Sequence, residues 1–372
     1  MVICHVFCSC SSSTDNVIEE SEKKEQAHLE GVFNANSVIV HSGSKNWYGI
    51  DISRANTFWS NPDVGDASNV IDNSTQWTAE VIWQDIDRRA INFCGADGKV
   101  IGCDTINGKG LQPLYIKAAT STPGNVVVGI KKKGAGSDAY LWSWHLWITE
   151  EPKEIAGFMD RNLGATSVSP SGGSKAYGLL YQFGRKDPFI GNNYNQKILA
   201  KYDINGRFIY GGDKKKVNRY TFFSQYVNSP NVIISSDDYG RFETPEEWTK
   251  WENQQKYMDK EWNDITDTFG KTLFDPSPEG WRLSTKEDLE KLTLDERHVS
   301  RFVFDEIFRG YALDGNWFPQ DFDYWSTGYY GKYRDNNYNY VEGFRCTIWS
   351  FNNELIRKSN RYNLNHVRCI KM

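Results

Sequence analysis

The stretch Asp275–Leu292, DPSPEGWRLSTKEDLEKL, reads as a rigid elbow that feeds a capped helix. Pro276 and Pro278 each fix a φ angle and withhold a backbone donor, Gly280 lets the chain turn, and Trp281 supplies a large ring to bury. Ser284 followed three residues later by Glu287 has the form of a capping box. That pattern predicts a helix starting here, with Leu289 and Leu292 on its buried side.

Other patterned segments flank the elbow. Upstream lie Met159–Thr166, MDRNLGAT, and Tyr177–Phe189, YGLLYQFGRKDPF; downstream lie Asp323–Thr327, DYWST, and the terminal Asn365–Met372, NHVRCIKM. In this order the blocks from Gly157 to Met372 resemble the Fibrobacter succinogenes major paralogous domain, a family common in secreted and surface proteins of Bacteroidetes. The resemblance implies an α+β, C-type lectin-like fold related to that of formylglycine-generating enzymes. Relatives usually carry a cysteine in the elbow, as DPCPxGW, where this chain has Ser277. The resemblance therefore implies that a disulfide from the elbow to Cys369 is absent here.

The 372 residues suit two or three domains, and a net charge of -5 gives no broad electrostatic basis for binding nucleic acid. Aromatic residues make up 15% of the chain, with 14 Trp, 20 Tyr and 20 Phe, a composition that favours β-rich packing and rigid binding surfaces. No run approaches the roughly 18 apolar residues of a membrane-spanning helix.

At the start, MVICHVFCSCSSSTDNVIEESEKKEQ carries a short apolar piece, then Cys10, a serine run and a charged tether. A cysteine at that junction resembles the lipidated cysteine of a bacterial lipoprotein. The expectation is a shortened lipoprotein signal and flexible tether over residues 1–29, with acyl chains on Cys10 as the contact with the membrane.

Residues 30–150 read as an all-β sandwich preceding the domain at 157–372. Ser37–Val40, Trp77–Trp83, Arg89–Phe93, Lys99–Cys103, Leu114–Ala118 and Asn125–Lys131 are short, rich in β-branched or aromatic residues, and separated by turn formers. Tyr140–Thr149 alternates, with Trp142, Trp144, Leu146 and Ile148 on one face and Ser143, His145, Trp147 and Thr149 on the other. One face is core, and Trp147 is expected to seal an edge or the junction with the next domain. ANSVIV near Asn36, NVVVGIKKKG and YLWSWHLWIT resemble a recurring N-terminal module of Bacteroidetes surface and fimbrial proteins. The linker, Glu150–Ala156, is short and contains Pro152, which predicts limited domain motion.

Of the seven cysteines, Cys94, Cys103, Cys346 and Cys369 follow the leader. Cys94 and Cys103 flank GADGKVIG, so a cross-strand disulfide forms if the turn centres near Gly98 and Lys99. A two-residue turn at Asp97 and Gly98 puts them out of register. Cys346 and Cys369 are a second candidate pair. Neither C-x-x-C spacing nor a histidine pair marks a metal site, and no cofactor is expected. The six histidines are scattered, and His145 reads as structural. No G-x-S-x-G, H-E-x-x-H or phosphate-cradling glycine loop occurs. The acidic group of Asp237, Asp238, Glu243, Glu246 and Glu247 reads as a solvated loop and helix start. The triplet Trp262, Asn263 and Asp264 matches the W-N-D of calcium-binding lectins but lies far from the end of the domain and has no partner triplet.

The strongest claim to a contact surface belongs to the stretch from Tyr324 to Asn365. Its candidate ligand-binding residues are Tyr329, Tyr330, Tyr333, Tyr338, Tyr340 and Tyr362, with Asn336, Asn337, Asn339, Asn352, Asn353, Asn360 and Asn363. Tyrosine gives large amphipathic area with few rotors, and asparagine gives adaptable hydrogen bonds, the chemistry of antibody paratopes. The enrichment also resembles the variable region of diversity-generating retroelement targets. The expected function is a lipid-anchored adhesin or receptor for a surface ligand, glycan or protein, at the tip of a fimbria. A structural pilus subunit and an enzyme of the formylglycine-generating type are the alternatives.

Overall fold

The computed structural model describes residues 26–137, 139–168, 174–190, 201–209, 223–232, 271–285, 288, 323–329, 342–347, 356–360 and 364–372. These are mostly β, with few and short helices. The first part comprises β1 (Leu29–Phe33), β2 (Ser37–His41), β3 (Trp47–Ile50), α1 (Ser53–Trp59), β4 (Gln76–Gln84), β5 (Ile91–Cys94), β6 (Thr105–Lys109), β7 (Leu114–Ala118), β8 (Gly124–Lys132) and β9 (Tyr140–Thr149). They form a five-stranded sheet of order β2-β9-β8-β4-β6 and a four-stranded sheet of order β1-β3-β7-β5. The pairs β2–β9 and β1–β3 are parallel, and the other pairings in these two sheets are antiparallel.

Inward residues of both sheets, among them Ile50, Phe93, Ile116, Val128 and Leu146, belong to one hydrophobic core. Helix α1 adds Ala55, Phe58 and Trp59 to it, at the i, i+3, i+4 spacing of a single helix face. The sequence reading passed over α1, and also β1, β3 and β6. These are short, and TINGK and WYGI carry too few alternating apolar residues to stand out. Conversely, Lys99–Cys103 is no strand. It contributes only an isolated bridge, Val100 to Cys94.

Strand β9 is buried along its whole length, polar residues included. Its second face is the seam with the rest of the chain. The Trp147 indole donates to the Ala165 carbonyl at 3.2 Å, Arg161 donates to Thr149 Oγ1, and Ser143 meets Lys186 and Asp187. Trp147 thus packs against the chain beyond β9, the second of the two places expected of it.

The expected linker, Glu150–Ala156, itself holds β10 (Glu154–Ile155), and beyond it lie β11 (Phe158–Met159), α2 (Ser174–Tyr177), β12 (Leu180–Tyr181), α3 (Phe223–Asn228), β13 (Trp281–Leu283), β14 (Asp323–Tyr329), β15 (Glu342–Thr347), β16 (Ile356–Asn360), β17 (Asn365–His366) and β18 (Cys369–Lys371). Two sheets result, β10-β11-β18-β13 and β12-β17-β14-β15-β16. Every patterned block meets the terminal segment. Phe158 pairs with Ile370, Leu283 with Cys369, Leu180 and Tyr324 with His366, and Leu163 N–H donates to the Val367 carbonyl. The start and end of the region lie side by side, with Lys371 N–H donating to Gly157 O at 2.7 Å.

In the elbow, Asp275 and Lys271 gather the backbone groups of the turn. Asp275 accepts from the backbone N–H of Ser277 at 2.8 Å and of Leu283 at 3.0 Å, and from the Ser277 hydroxyl. The Lys271 ammonium donates to the carbonyls of Ser277, Pro278 and Trp281 at 2.6, 2.8 and 3.0 Å. Burial holds Lys271 below the usual lysine range, with Asp275 opposing that shift. Gly280 sits at φ +75°, a conformation that L side chains rarely adopt, and it turns the chain into β13.

The helix start is displaced from the expected place. Ser284 is buried and its hydroxyl donates to the Arg368 carbonyl. The reciprocal pair is Thr285 and Asp288: Thr285 N–H donates to Asp288 Oδ2, and Asp288 N–H donates to Thr285 Oγ1, each at 3.0 Å. The box is shifted by one residue because β13 pairs with β18 as far as Leu283 and draws Ser284 inward. Glu287, Leu289 and Leu292 lie outside the described residues.

Trp281 is 1% exposed, and the Lys371 ammonium lies 4.5 Å from its ring centroid. Trp281→Ala is expected to destabilise the fold by about 3 to 5 kcal/mol, read by chemical denaturation.

Candidate functional site

Strands β14, β15 and β16 form an antiparallel set, and their register sorts the Tyr- and Asn-rich segments by place. Tyr329 pairs with Gly343 and Glu342 with Asn360, which puts the end of β14, the start of β15 and the end of β16 at one end of the sheet. Segment 330–341 joins β14 to β15 at that end, and segment 361–363 leaves β16 there and leads to β17, whose His366 pairs with Tyr324 at the opposite end. The two segments carry Tyr330, Tyr333, Asn336, Asn337, Tyr338, Asn339, Tyr340, Tyr362 and Asn363. Asn352 and Asn353 belong to segment 348–355, which joins β15 to β16 at the opposite end, where Asp323 pairs with Thr347 and Cys346 with Ile356. By connectivity the main group, on segment 330–341, belongs to one end of the sheet, Asn352 and Asn353 to the other, and Tyr362 and Asn363 to the connection between them. Of the whole set, Tyr329 and Asn360 fall on described strands; the others, and Cys10, lie outside the described residues.

The pairing of β14 with β15 is irregular next to the main group. From Trp325 to Tyr329 the chain advances four residues on β14 against two on β15, from Arg345 to Gly343. Extra residues of this kind bend a strand and increase its twist, and they concentrate beside functional sites. Here the irregularity immediately precedes segment 330–341.

Two buried constellations resemble catalytic groups by composition. Ser37 Oγ lies 3.0 Å from His145 Nδ1, and His145 Nε2 lies 2.9 Å from Asn125 Oδ1. All three residues are buried, and the Ser37 hydroxyl donates to the Pro276 carbonyl at 2.6 Å. With its hydrogen bonded to a carbonyl and no approach for a substrate, Ser37 is a structural hydroxyl. The reading of His145 as structural holds. Its partners lie 108 and 20 residues away, and the sequence carries no signal for that grouping.

In the second constellation, Lys186 Nζ donates to Ser143 O and Oγ and to Asp187 Oδ1, at 3.0, 2.5 and 2.7 Å. Burial pushes Lys186 down to about 8 against the pull of Asp187. The Ser143 hydroxyl donates to Asp187, so the amine does not activate it. Both groups cement β9 to the chain packed on it. Among the described residues no cluster of three or more His, Cys, Asp or Glu side chains is placed to hold a metal ion. Trp262, Asn263 and Asp264 lie outside the described residues, as do Asp237, Asp238, Glu243, Glu246 and Glu247.

Cys94, Cys103 and Cys369 are free thiols. The hairpin after β5 pairs Cys94 with Val100 and closes through Gly95 N–H to Lys99 O. Its turn centres near Asp97, which carries Cys103 three residues past register, so the Cys94–Cys103 disulfide does not form. Cys369 is held in β18 against Leu283, so its pairing with Cys346 of β15 is not made either. Burial pushes the Cys94 thiol up to about 11 and the Cys369 thiol higher still, with Asp275 adding to the latter. Alkylation in denaturant without reductant is expected to label Cys94, Cys103 and Cys369 fully, as read by peptide mass. In the folded chain Cys103, which is exposed, is expected to react first.

A comparison of the chain with protein-family models, curated proteins and solved structures finds no match.

Proposed function

We propose that this protein is a surface-exposed ligand-binding protein, an adhesin or receptor, anchored through acyl chains on Cys10. In this reading a lectin-like region at 157–372 is carried on a sandwich at 30–150. The observation that carries it is the attachment of segment 330–341 to one end of the β14–β15–β16 sheet. That segment carries Tyr330, Tyr333, Asn336, Asn337, Tyr338, Asn339 and Tyr340 between two strands tied through β17 to the terminal hub. A rigid scaffold with a polar-aromatic tip fits recognition of a glycan or a protein, since tyrosine adds contact area at low entropic cost.

The closure of the region on its own terminus also supports the reading. With Gly157 and Lys371 hydrogen-bonded to each other, the intervening segments hang from a fixed clamp and can differ in sequence without unpairing it. That property suits the retroelement-type diversification to which the Tyr/Asn pattern points. Assembly into a fimbria, at its tip or as a structural subunit, belongs to the same proposal. An enzyme of the formylglycine-generating type has less support, because it needs a reactive thiol and Cys369 is buried and protonated at neutral pH.

The test is binding of the chain from residue 26 onward to glycan and cell-surface protein arrays. The sandwich is retained because β9 shares its buried face with the C-terminal region. Replacing Tyr329, Tyr330 and Tyr338 together by Ala is expected to weaken binding at least tenfold while leaving Tm nearly unchanged. A loss of stability of several kcal/mol places those rings in the core and removes the reading. No binding by the folded chain, with copolymerisation in the cell envelope, favours the pilus subunit. Intact-mass analysis of membrane-extracted protein is expected to show a diacyl or triacyl group on Cys10; an unmodified residue removes the anchor.

A further inference from the structure

Where the elbow crosses β2, a string of buried hydrogen-bonding groups has more contacts than protons. Ser37 Oγ lies 2.6 Å from Pro276 O and 3.0 Å from His145 Nδ1. His145 Nε2 lies 2.9 Å from Asn125 Oδ1, and Asn125 Nδ2 lies 2.7 Å from Asp85 Oδ2 and 2.9 Å from Gly164 O. Each contact joins two electronegative atoms and needs one hydrogen between them. A neutral imidazole and an ionised carboxylate leave the string one hydrogen short, since Ser37 and His145 supply one each and Asn125 two. Changing the histidine tautomer only moves the gap. Reversing the Asn125 amide sets its oxygen against the Gly164 carbonyl, so the shortage persists.

We propose that the string binds one further proton near neutral pH, making His145 an imidazolium paired through the Asn125 amide with the Asp85 carboxylate, and that this proton latches the elbow to the sandwich. With it, His145 donates to both Ser37 and Asn125, the Ser37 hydroxyl is free to donate to Pro276 O, and every contact holds a hydrogen. Without it, the strain falls on the two oxygens of Ser37 and Pro276, which have none between them when Ser37 donates to His145.

Burial acts on the separate groups in opposite directions, pushing His145 down to about 3 and Asp85 up to about 6. Each shift penalises a lone charge. With its proton the pair is neutral overall, and an imidazolium facing the carboxylate across the Asn125 amide offsets that penalty. The charged groups on the surrounding elements are engaged elsewhere. Lys186 and Asp187 bind Ser143 two residues before His145, and Arg161 binds Asp160 and Thr149. Arg54 of α1 donates to Asn36 and to the Thr272 and Leu273 carbonyls, while Lys271 and Asp275 are spent within the elbow. Among the described residues, Asp85 is the one charged partner bonded into the string.

The sign of the pH dependence follows. In the unfolded chain the imidazole loses its proton near about 6.5. A proton held past that point in the folded chain contributes stability that is fully present below it and lost as pH rises through the folded midpoint. Over that interval the folding constant is expected to fall by up to about tenfold per pH unit.

The experiment is nitrogen-15 and carbon-13 NMR of the full chain between pH 5.5 and 8.5. His145 is expected to show two protonated ring nitrogens at pH 5.5 and to lose one with a midpoint above 6.5, while the Trp281 and Leu283 amides shift at the same midpoint. A single protonated ring nitrogen across the whole range overturns the proposal. Ser37→Ala removes two contacts and only one hydrogen, so a neutral imidazole then satisfies the string. This variant is expected to keep His145 neutral throughout. Titration of His145 in Ser37→Ala as in the parent chain also overturns the proposal. If the variant does not fold, the parent measurement decides alone.

Discussion

The structure depends on satisfying the polar groups buried where the elbow crosses β2. Asn36 uses its whole side chain there, donating to the carbonyls of Leu273 and Asp275 at 2.7 and 2.8 Å and accepting from Arg54 and Trp142 at 3.1 Å. Ser37 caps Pro276 O, a carbonyl that a proline-rich turn cannot return to a regular ladder. A buried carbonyl or amide left without a partner costs about 1 to 3 kcal/mol. The sandwich and the elbow each leave such groups, and each supplies the other's partners. Arg54 of α1 extends the same seam to the Thr272 carbonyl.

A second consequence concerns the C-terminal region. Its terminal segment pairs with blocks far apart in the chain, so order in β13, β17 and β18 comes late in sequence and only from long-range contacts. Arg368 exemplifies this. It is buried beside the elbow, donates to Met159 O at 2.9 Å, and its own carbonyl accepts from Ser284. Gly164, at φ +83°, lies against Leu179 so closely that a Cβ would clash at 2.6 Å; the glycine of MDRNLGAT is thus set by backbone conformation and space together. The scaffold beneath the Tyr/Asn segments is therefore a closed set of mutual constraints, and the segments themselves hang from it.

Much of this organisation was legible in the chain. Proline and glycine marked the elbow, β-branched and aromatic runs between turn formers marked β4 and β8, apolar alternation marked β9, and residue chemistry marked the tyrosines and asparagines, because each of these signals is local. The short strands and α1 were not legible. Their burial comes from the neighbours they pack against rather than from their own pattern. The helix cap slipped by one residue for the same reason: Ser284 and Thr285 are equivalent caps locally, and only pairing with β18 chose between them. The cysteine register likewise depended on whether the turn centred at Asp97, which GADGKVIG alone leaves open.

The sequence by itself determined a β-rich chain, an aromatic core, a rigid turn at Asp275–Gly280 and a polar-aromatic stretch beyond Tyr324. Periodicity, turn chemistry and composition act over a few residues, so a linear reading recovers them. Tertiary structure alone decided that both faces of β9 are buried, that three cysteines stay free, and that Ser37, Asp85, Asn125 and His145 meet in one string. Those outcomes hinge on register and on which surfaces meet. Both are set by the total burial and hydrogen bonding of residues a hundred or more positions apart, a sum that no short window of the chain contains.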